Sequence, residues 1–527
     1  MSQDNRAGGR ANQKQIAILS FCPPDLTSTL LDTLNCAHYI EITDMHTCVL
    51  YIKRARLDLR IVGNDDILSL KRGADMVFKR KIYEKLLEWK SSSGGKKALL
   101  IEGARRIGKS TITQEFGKNE YKSYLVIDFN DVSETVEEAF NNYLNDLDTF
   151  FMLISTEYNV NLYPGESLII FDEIQRFPKA RQSIKKLVAD GRYDYIETGS
   201  LISIKENIRD ITIPSEERKI NMYPLCFEEF CWAMGEEKLV EYIRQCFDNM
   251  TAPAETMHKK AMLLFRQFMI VGGMPQSIAA YLENNRSFDK SDEEKRDIIS
   301  LYRNDIMKIE SRYKSKVIAI FDQIPAFLSR HEKRVVLSDV EKNSTFDSYH
   351  DTFFWLSDSM VANECFRCND PNVGLMLNEN RSYVKCYMGD TGLLISHTFS
   401  EAELEKEELY KQLIRGRLSV NEGMFHENAV AQELVSNGYK LFFYTSYNSE
   451  KHRNDIEIDF VISNKSKTRF RICPIEVKSS DNYSIRSLEK FTDKFKDRVD
   501  KAYVIHTKNF KTDGNIIYIP SYMTMCL

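Results

Sequence analysis

The sequence predicts an α/β protein built on a parallel sheet, and three observations carry that expectation. Apolar runs alternate with helix-patterned stretches between residues 76 and 235, as expected of strands joined by crossover helices. One strand leads through Gly103-Ala104-Arg105-Arg106-Ile107-Gly108-Lys109-Ser110 straight into a helix, the setting in which a phosphate-cradling loop forms. A second series of strands begins near residue 440 and implies another α/β layer towards the C-terminus.

Bulk properties bound the answer without choosing it. A chain of 527 residues exceeds one core, and 43% hydrophobic with 28% charged residues is ordinary globular composition. The net charge of -5 gives no global reason to expect nucleic acid. No apolar run approaches the roughly 20 residues of a spanning helix, and the polar start Met1-Ser2-Gln3-Asp4-Asn5 is no signal peptide, so the expectation is a cytoplasmic protein with no membrane partner. The 11 cysteines are scattered and read as reduced thiols; Cys365, Cys368 and Cys386 form an incomplete zinc set.

In chain order, residues 1–75 carry short strand-like runs at 16–21 and 48–52 without an organising motif. Lys71-Arg72-Gly73 can be encoded by a purine-rich, ribosome-binding-like stretch just upstream of Met76. Two expectations follow: 1–75 is an extension preceding a true start at Met76, or it is an accessory domain. After a Ser-Gly linker, strands are expected at 98–101, 124–129, 167–171, 195–198 and 220–225, with helices at 111–116, 132–147 and 180–189. Residues 236–310 read as a helical lid region, interrupted at Val271-Gly272-Gly273-Met274-Pro275. Short helices at 317–328, 338–341 and 348–358, then a strand at 382–388, suit a winged-helix-like module over 311–400. The last region, 401–527, opens with a helix at 423–437 and continues in strands at 440–445, 456–462, 471–478 and 501–506.

The chemistry concentrates first at the glycine loop. Gly103 and Gly108 let the backbone curl so that N–H groups face phosphates, Lys109 reaches the terminal phosphates, and Ser110 offers a hydroxyl to magnesium. Ala104, Arg105, Arg106, Ile107 and Thr111 complete the cradle. Leu168-Ile169-Ile170-Phe171-Asp172-Glu173 supplies the second half: Asp172 holds magnesium through water, and Glu173 orients or deprotonates the attacking water. Thr198, in Thr198-Gly199-Ser200, is placed to sense the terminal phosphate, or marks a plain glycine turn.

These residues resemble the AAA-like P-loop ATPases of bacteria and archaea that carry an uncharacterised C-terminal domain of nuclease-like fold. The likeness rests on Phe78-Lys79-Arg80, the loop 103–110, Asp172-Glu173-Ile174-Gln175, Thr198-Gly199-Ser200 and Tyr223-Pro224-Leu225-Cys226-Phe227-Glu228-Glu229-Phe230. It continues through Gly272-Gly273-Met274-Pro275, Tyr302-Arg303-Asn304-Asp305-Ile306 and residues 387–394, covering Met76 to the C-terminus. The resemblance implies ATP and Mg2+ as cofactors, an AAA-like ATPase domain over 76–235, and a basic residue at Arg218 against phosphate; the alternative is a solvated arginine in Glu216-Glu217-Arg218-Lys219.

A second cluster lies near the C-terminus. Glu427 on a helix, Asp459, and Glu476-Val477-Lys478 on a strand look like the PD-(D/E)XK arrangement of restriction-endonuclease-like domains. Strand periodicity puts Glu476 and Lys478 on one face. Asp459 and Glu476 are then the metal ligands, Lys478 stabilises or activates the nucleophile, and Glu427 assists. The expected fold is therefore a P-loop NTPase parallel sheet, AAA-like, then a helical and winged-helix region, then a restriction-endonuclease-like α/β domain. Three functions stay open: an ATP hydrolase coupling nucleotide state to the C-terminal region, with DNA and a second copy of the chain as candidate partners; a metal-dependent DNA endonuclease with a regulatory ATPase; or a nucleotide-gated binding module with little turnover.

Overall fold

The computed structural model describes strands within residues 39–72 and, beyond them, residues 76–199, 216–309, 311–342, 344–399, 406–415, 422–450, 453–463 and 471–527. The chain divides into two units, Met1–Met76 and Val77–Leu527. In the first, β1 (Tyr39–Asp44), β2 (Thr47–Ile52), β3 (Ala55–Arg60) and β4 (Lys71–Arg72) pair in sequence as an antiparallel sheet. The expected strand at 48–52 is β2; the one at 16–21 lies outside the described residues.

The second unit opens with helix α1 (Ile82–Ser93) and a five-stranded sheet of order β6-β7-β8-β5-β9, every pair parallel. Its strands are β5 (Ala98–Glu102), β6 (Ser123–Asp128), β7 (Ser167–Asp172), β8 (Asp194–Gly199) and β9 (Glu217–Asn221). The crossovers are α2 (Lys109–Glu120), α3 (Glu134–Asn142), α4 (Leu147–Tyr158) and α5 (Pro178–Asp190). Central β5 and β7 are buried along their whole length, which is why they read as unbroken apolar runs. Phe129, Phe140, Phe150 and Phe171 pack edge to face in the core between sheet and helices. Because β5 lies between β8 and β9 while the chain runs on to β6 at the far side, the strand order reverses beside β5, the place where open α/β sheets bind ligands.

Two expectations are corrected in this sheet. The helix expected over 132–147 is two helices: the chain breaks at Tyr143, and Asp146 recaps α4 by accepting the Thr149 N–H at 3.2 Å. The last strand is Glu217–Asn221 rather than 220–225. Met222 adds one bond to Glu102, and Pro224 then ends the ladder; Leu225 N–H donates instead to Gly273. The apolar residues that suggested a strand are buried as a packed loop.

Helices follow: α6 (Phe227–Ala233), α7 (Glu237–Asp248), α8 (Glu255–Val271), α9 (Pro275–Glu283), α10 (Phe288–Ile306), α11 (Ser311–Ser329), the single turn α12 (Leu337–Val340) and α13 (Phe346–Asp358). β10 (Ala362–Cys368) and β11 (Glu379–Met388) form an antiparallel hairpin, followed by α14 (Thr391–Thr398) and α15 (Lys406–Ile414). The hairpin does not stand alone: β10 pairs in parallel with β12 (Leu441–Asn448), which pairs with β13 (Arg453–Ile458), giving a sheet β11-β10-β12-β13 that runs past residue 401. A last sheet, β14-β15-β16-β18-β17, contains β14 (Phe460–Ser463), β15 (Ile472–Val477), β16 (Ala502–His506), β17 (Lys511–Asp513) and β18 (Ile516–Pro520). Helix α16 (Glu422–Ser436) is buried on nearly every face, and α17 (Arg486–Lys494) packs on β13.

Candidate functional site

The loop between β5 and α2 is shaped by steric demands that only glycine meets. Gly108 caps α2 with φ 90°, and a Cβ at Gly103 would run into the Met222 carbonyl and Ile107. Lys109 is buried, and its ammonium donates to the Gly103 and Ala104 carbonyls at 3.0 and 2.9 Å, curled over its own loop. Burial pushes Lys109 down to about 8, against the pull of Glu173 and Asp172. An ammonium whose hydrogen bonds among the described residues go to two carbonyls can turn to an anion.

Opposite it the second half assembles. Ser110 donates to Asp172 at 2.9 Å, and Thr198 donates to the same Asp172 oxygen. Glu173 N–H donates back to the Thr198 hydroxyl at 3.4 Å. Glu173 itself stands in the left-handed region at φ 53°, a conformation that costs a non-glycine residue energy and turns its side chain off the strand end, where Gln175 donates to it. Ser110, Asp172, Glu173 and Thr198, from three elements, therefore meet at one edge of the sheet beside Lys109. A hydroxyl and a carboxylate there are hard oxygen donors that suit magnesium. Thr111 follows on α2, partly buried; Arg106, with φ 67°, faces solvent; Ser200 lies outside the described residues. Arg218 sits on edge strand β9 and pairs at 3.2 Å with the exposed Glu88, its own side chain partly exposed, which places it in a surface ion pair.

Several residues of this site carry no sequence signal as a group. Buried Arg80 donates to the Ile107 carbonyl at 2.9 Å, to the Tyr223 carbonyl at 2.6 Å and to Glu229 at 3.2 Å, fixing the last peptide before Gly108. Arg105 is gripped by both carboxylate oxygens of Asp305 on α10 at 2.8 Å, while the Tyr302 hydroxyl donates to the Arg105 carbonyl. Pro275 lies against Gly108. The sequence separations, 27 to 200 residues, hide these contacts; only the grouping of Phe78-Lys79-Arg80, Gly272–Pro275 and Tyr302–Ile306 as shared motifs hinted at them.

The C-terminal residues also come together. Asp459 sits at the bend between β13 and β14 and accepts the Val477 N–H at 2.9 Å, and Lys478 pairs with Glu476 at 2.9 Å. Burial pushes Glu476 up to about 7, against Lys478. Glu427 is fully buried and takes hydrogen bonds from Lys333, Tyr387 and, at 3.2 Å, Lys385. Burial disfavours its charge, yet Lys333 and Lys385 together hold it well below the usual carboxylate range. Lys385 also lies 3.8 Å from Asp459. Among the described residues no three His, Cys, Asp or Glu side chains group as metal ligands. The metal implied by the resemblance thus does not fit this donor set as it stands, since lysines already address Glu427, Asp459 and Glu476.

Three family models match successive stretches: an AAA domain over residues 95–231, and two domains of unknown function, DUF8612 over 262–404 and DUF4143 over 422–522. No curated protein matches the chain. Among solved structures, the chain is similar to the Aeropyrum pernix ORC1 protein in complex with DNA, at 10% identity and TM-score 0.24, covering 62% of this chain and 94% of that one. It is likewise similar to S. cerevisiae Hsp104 with ADP, at 12% identity and TM-score 0.24, covering 69% of this chain and 44% of that one. The closed state of Hsp104 with ATPγS and FITC casein matches at 15% identity and TM-score 0.24, covering 53% and 48%, so this chain spans less than half of either Hsp104 chain. With its matched segment, its all-parallel sheet and its loop between β5 and α2, the chain carries an AAA-like P-loop domain.

Proposed function

We propose that this chain hydrolyses ATP and uses the nucleotide state to change how its C-terminal half engages a partner, with DNA as the leading candidate. The meeting of Ser110, Asp172, Glu173 and Thr198 beside a Lys109 hydrogen-bonded to its own loop carries this reading. Lys109 exchanges the Gly103 and Ala104 carbonyls for the terminal phosphates, gaining charge-assisted bonds. Ser110 and Asp172 would hold Mg2+, which would neutralise phosphate charge when bound. Glu173 orients the attacking water and accepts its proton, and Thr198, bonded to Asp172 and to the Glu173 backbone, couples that base to the phosphate end.

The coupling has a physical basis in the loop's anchors. Arg105 is tied to α10 through Asp305 and Tyr302, and Gly273, next to the Pro275 turn, donates to Asp390 at 2.5 Å. Asp390 in turn accepts from Gln432 on α16, the helix that carries Glu427. A phosphate that pulls on the loop therefore pulls on groups linked to the C-terminal sheets. A cytoplasmic setting and self-association belong to the same proposal; no helix among the described residues is long and apolar enough to cross a membrane.

The test is steady-state phosphate release by the full chain, alone and with linear duplex or single-stranded DNA, together with recovery of partners trapped on Glu173→Gln. Magnesium-dependent turnover that rises with DNA is the expected result. Turnover indifferent to every DNA form, with no DNA co-purifying, would remove DNA from the proposal and leave the ATPase reading in place.

A further inference from the structure

The restriction-endonuclease resemblance calls for a divalent metal between Asp459 and its neighbouring carboxylates, and the side chains present argue against one. Metal sites for magnesium offer carboxylates whose oxygens are free to face the ion and its waters. Here Glu427 spends both oxygens internally: Oε1 accepts from Lys385 and the Tyr387 hydroxyl, and Oε2 from Lys333. Asp459 spends Oδ2 on the Val477 N–H, while its Oδ1 faces the Lys385 ammonium at 3.8 Å. Glu476 is paired with Lys478. These three carboxylates, with Glu457 also in the field of Lys385, thus meet three ammonium groups.

Lys385 is the member that distinguishes this cluster from an open acidic site. It lies on β11, opposite Cys365 of β10, and its side chain is buried, 1% exposed. Its ammonium stands between Glu427 and Asp459, 3.2 Å from one and 3.8 Å from the other. Carboxylates that compensate a buried cation are less available to a second cation. A divalent ion placed beside Lys385 would meet like charge at short range in a poorly screened interior.

We infer that Lys385 is a built-in counter-cation that takes the place of the metal in the C-terminal cluster, so that this domain is assembled without a divalent ion. The inference rests on the cluster's geometry and not on the ATPase reading. Its consequence is that removing the lysine should uncover a metal site that the natural chain lacks. Lys385→Gln keeps a hydrogen-bond donor for Glu427 but removes the charge between Asp459 Oδ1 and Glu427 Oε1, while Lys333 stays on Glu427 Oε2.

The experiment is a Mn2+ titration of the nucleotide-free full chain, with free Mn2+ read by electron paramagnetic resonance, on the parent, Asp459→Asn, Lys385→Gln and the Lys385→Gln/Asp459→Asn pair. The parent and Asp459→Asn should titrate alike, because Asp459 holds no ion. Lys385→Gln should gain one Mn2+ equivalent that the parent lacks, at least roughly tenfold above any residual binding by the parent, and Asp459→Asn should remove that gain. Nucleotide binding at the P-loop, measured on the same preparations, reports folding. Mn2+ bound by the parent and lost in Asp459→Asn would overturn the inference; so would a folded Lys385→Gln that gains no site. If Lys385→Gln fails to fold, the comparison of parent with Asp459→Asn decides alone.

Discussion

Lys109 shows how far burial alone can set the chemistry of one residue. With its ammonium pushed down to about 8 in the free protein, a growing share of molecules carries a neutral amine as pH rises past that point. Phosphate oxygens favour the charged form, so binding above pH 8 must take up a proton. ATP affinity should therefore be flat between about pH 6.5 and 7.5 and should weaken above 8, by up to about tenfold per unit. Calorimetry in two buffers of different ionisation enthalpy reads the proton uptake directly; none at pH 8.5 would show that Lys109 is already charged. The residues of this site were legible wherever a motif fixes spacing: Gly103, Gly108, Lys109, Ser110, Asp172 and Glu173. Arg80, Asp305 and Lys385 were not, because each acts through a partner far away in sequence, Ile107, Arg105 and Glu427, and a lone basic or acidic residue reads as solvated surface. The same prior was right for Arg218, which pairs with Glu88 in solvent.

At the scale of elements, the turn between α8 and α9 is where glycine is indispensable. A Cβ at Gly273 would overlap the Leu225 carbonyl oxygen and crowd the Leu225 nitrogen, and Leu225 N–H donates to Gly273 at 2.7 Å, so neither backbone can retreat. Gly273→Ala should cost about 3 kcal/mol, the upper end for overpacking, read as a lower urea midpoint at unchanged slope. A variant as stable as the parent would mean that the turn relaxes freely. Buried strands β5, β7, β8 and β16 were legible as apolar runs, since both faces are covered. The edge strand β9 was misplaced because four of its five residues, Glu217, Arg218, Lys219 and Asn221, are polar, and most of the apolar signal belongs to the following loop. The division of 132–147 into α3 and α4 was hidden because helical patterning continues through the break, and only the Asp146 cap marks the restart.

For the whole molecule, the described helices and sheets from Val77 onward form one compact unit, cross-linked by Arg105 with Asp305, Gly273 with Asp390, and Glu433 of α16 with the Phe227 N–H at 2.6 Å. Such sharing predicts that nucleotide stabilises more than the P-loop sheet. ADP at 100 times its dissociation constant should raise the stability of this unit by about 2.7 kcal/mol in a single unfolding transition followed by tryptophan fluorescence and by circular dichroism. Two transitions, of which ADP moves only one, would show that the C-terminal sheets unfold independently. The sequence announced strands on both sides of residue 401 but not that β10 and β12 share a sheet, since parallel pairing of strands separated by more than 70 residues leaves no local pattern.

The central claim is that Glu173 and Lys109 make this an ATP-hydrolysing site, and it is tested most directly by replacing one atom group. Glu173→Gln preserves shape and the contact region with Gln175 but cannot accept a proton. Phosphate release and ATP affinity should be measured on parent and Glu173→Gln prepared identically, with Lys109→Ala as the binding-deficient control. Magnesium-dependent turnover is expected in the parent, with a loss of about 100-fold or more in Glu173→Gln and unchanged affinity for ATP. Equal turnover in parent and Glu173→Gln, or no turnover in a parent that binds ATP, would contradict it.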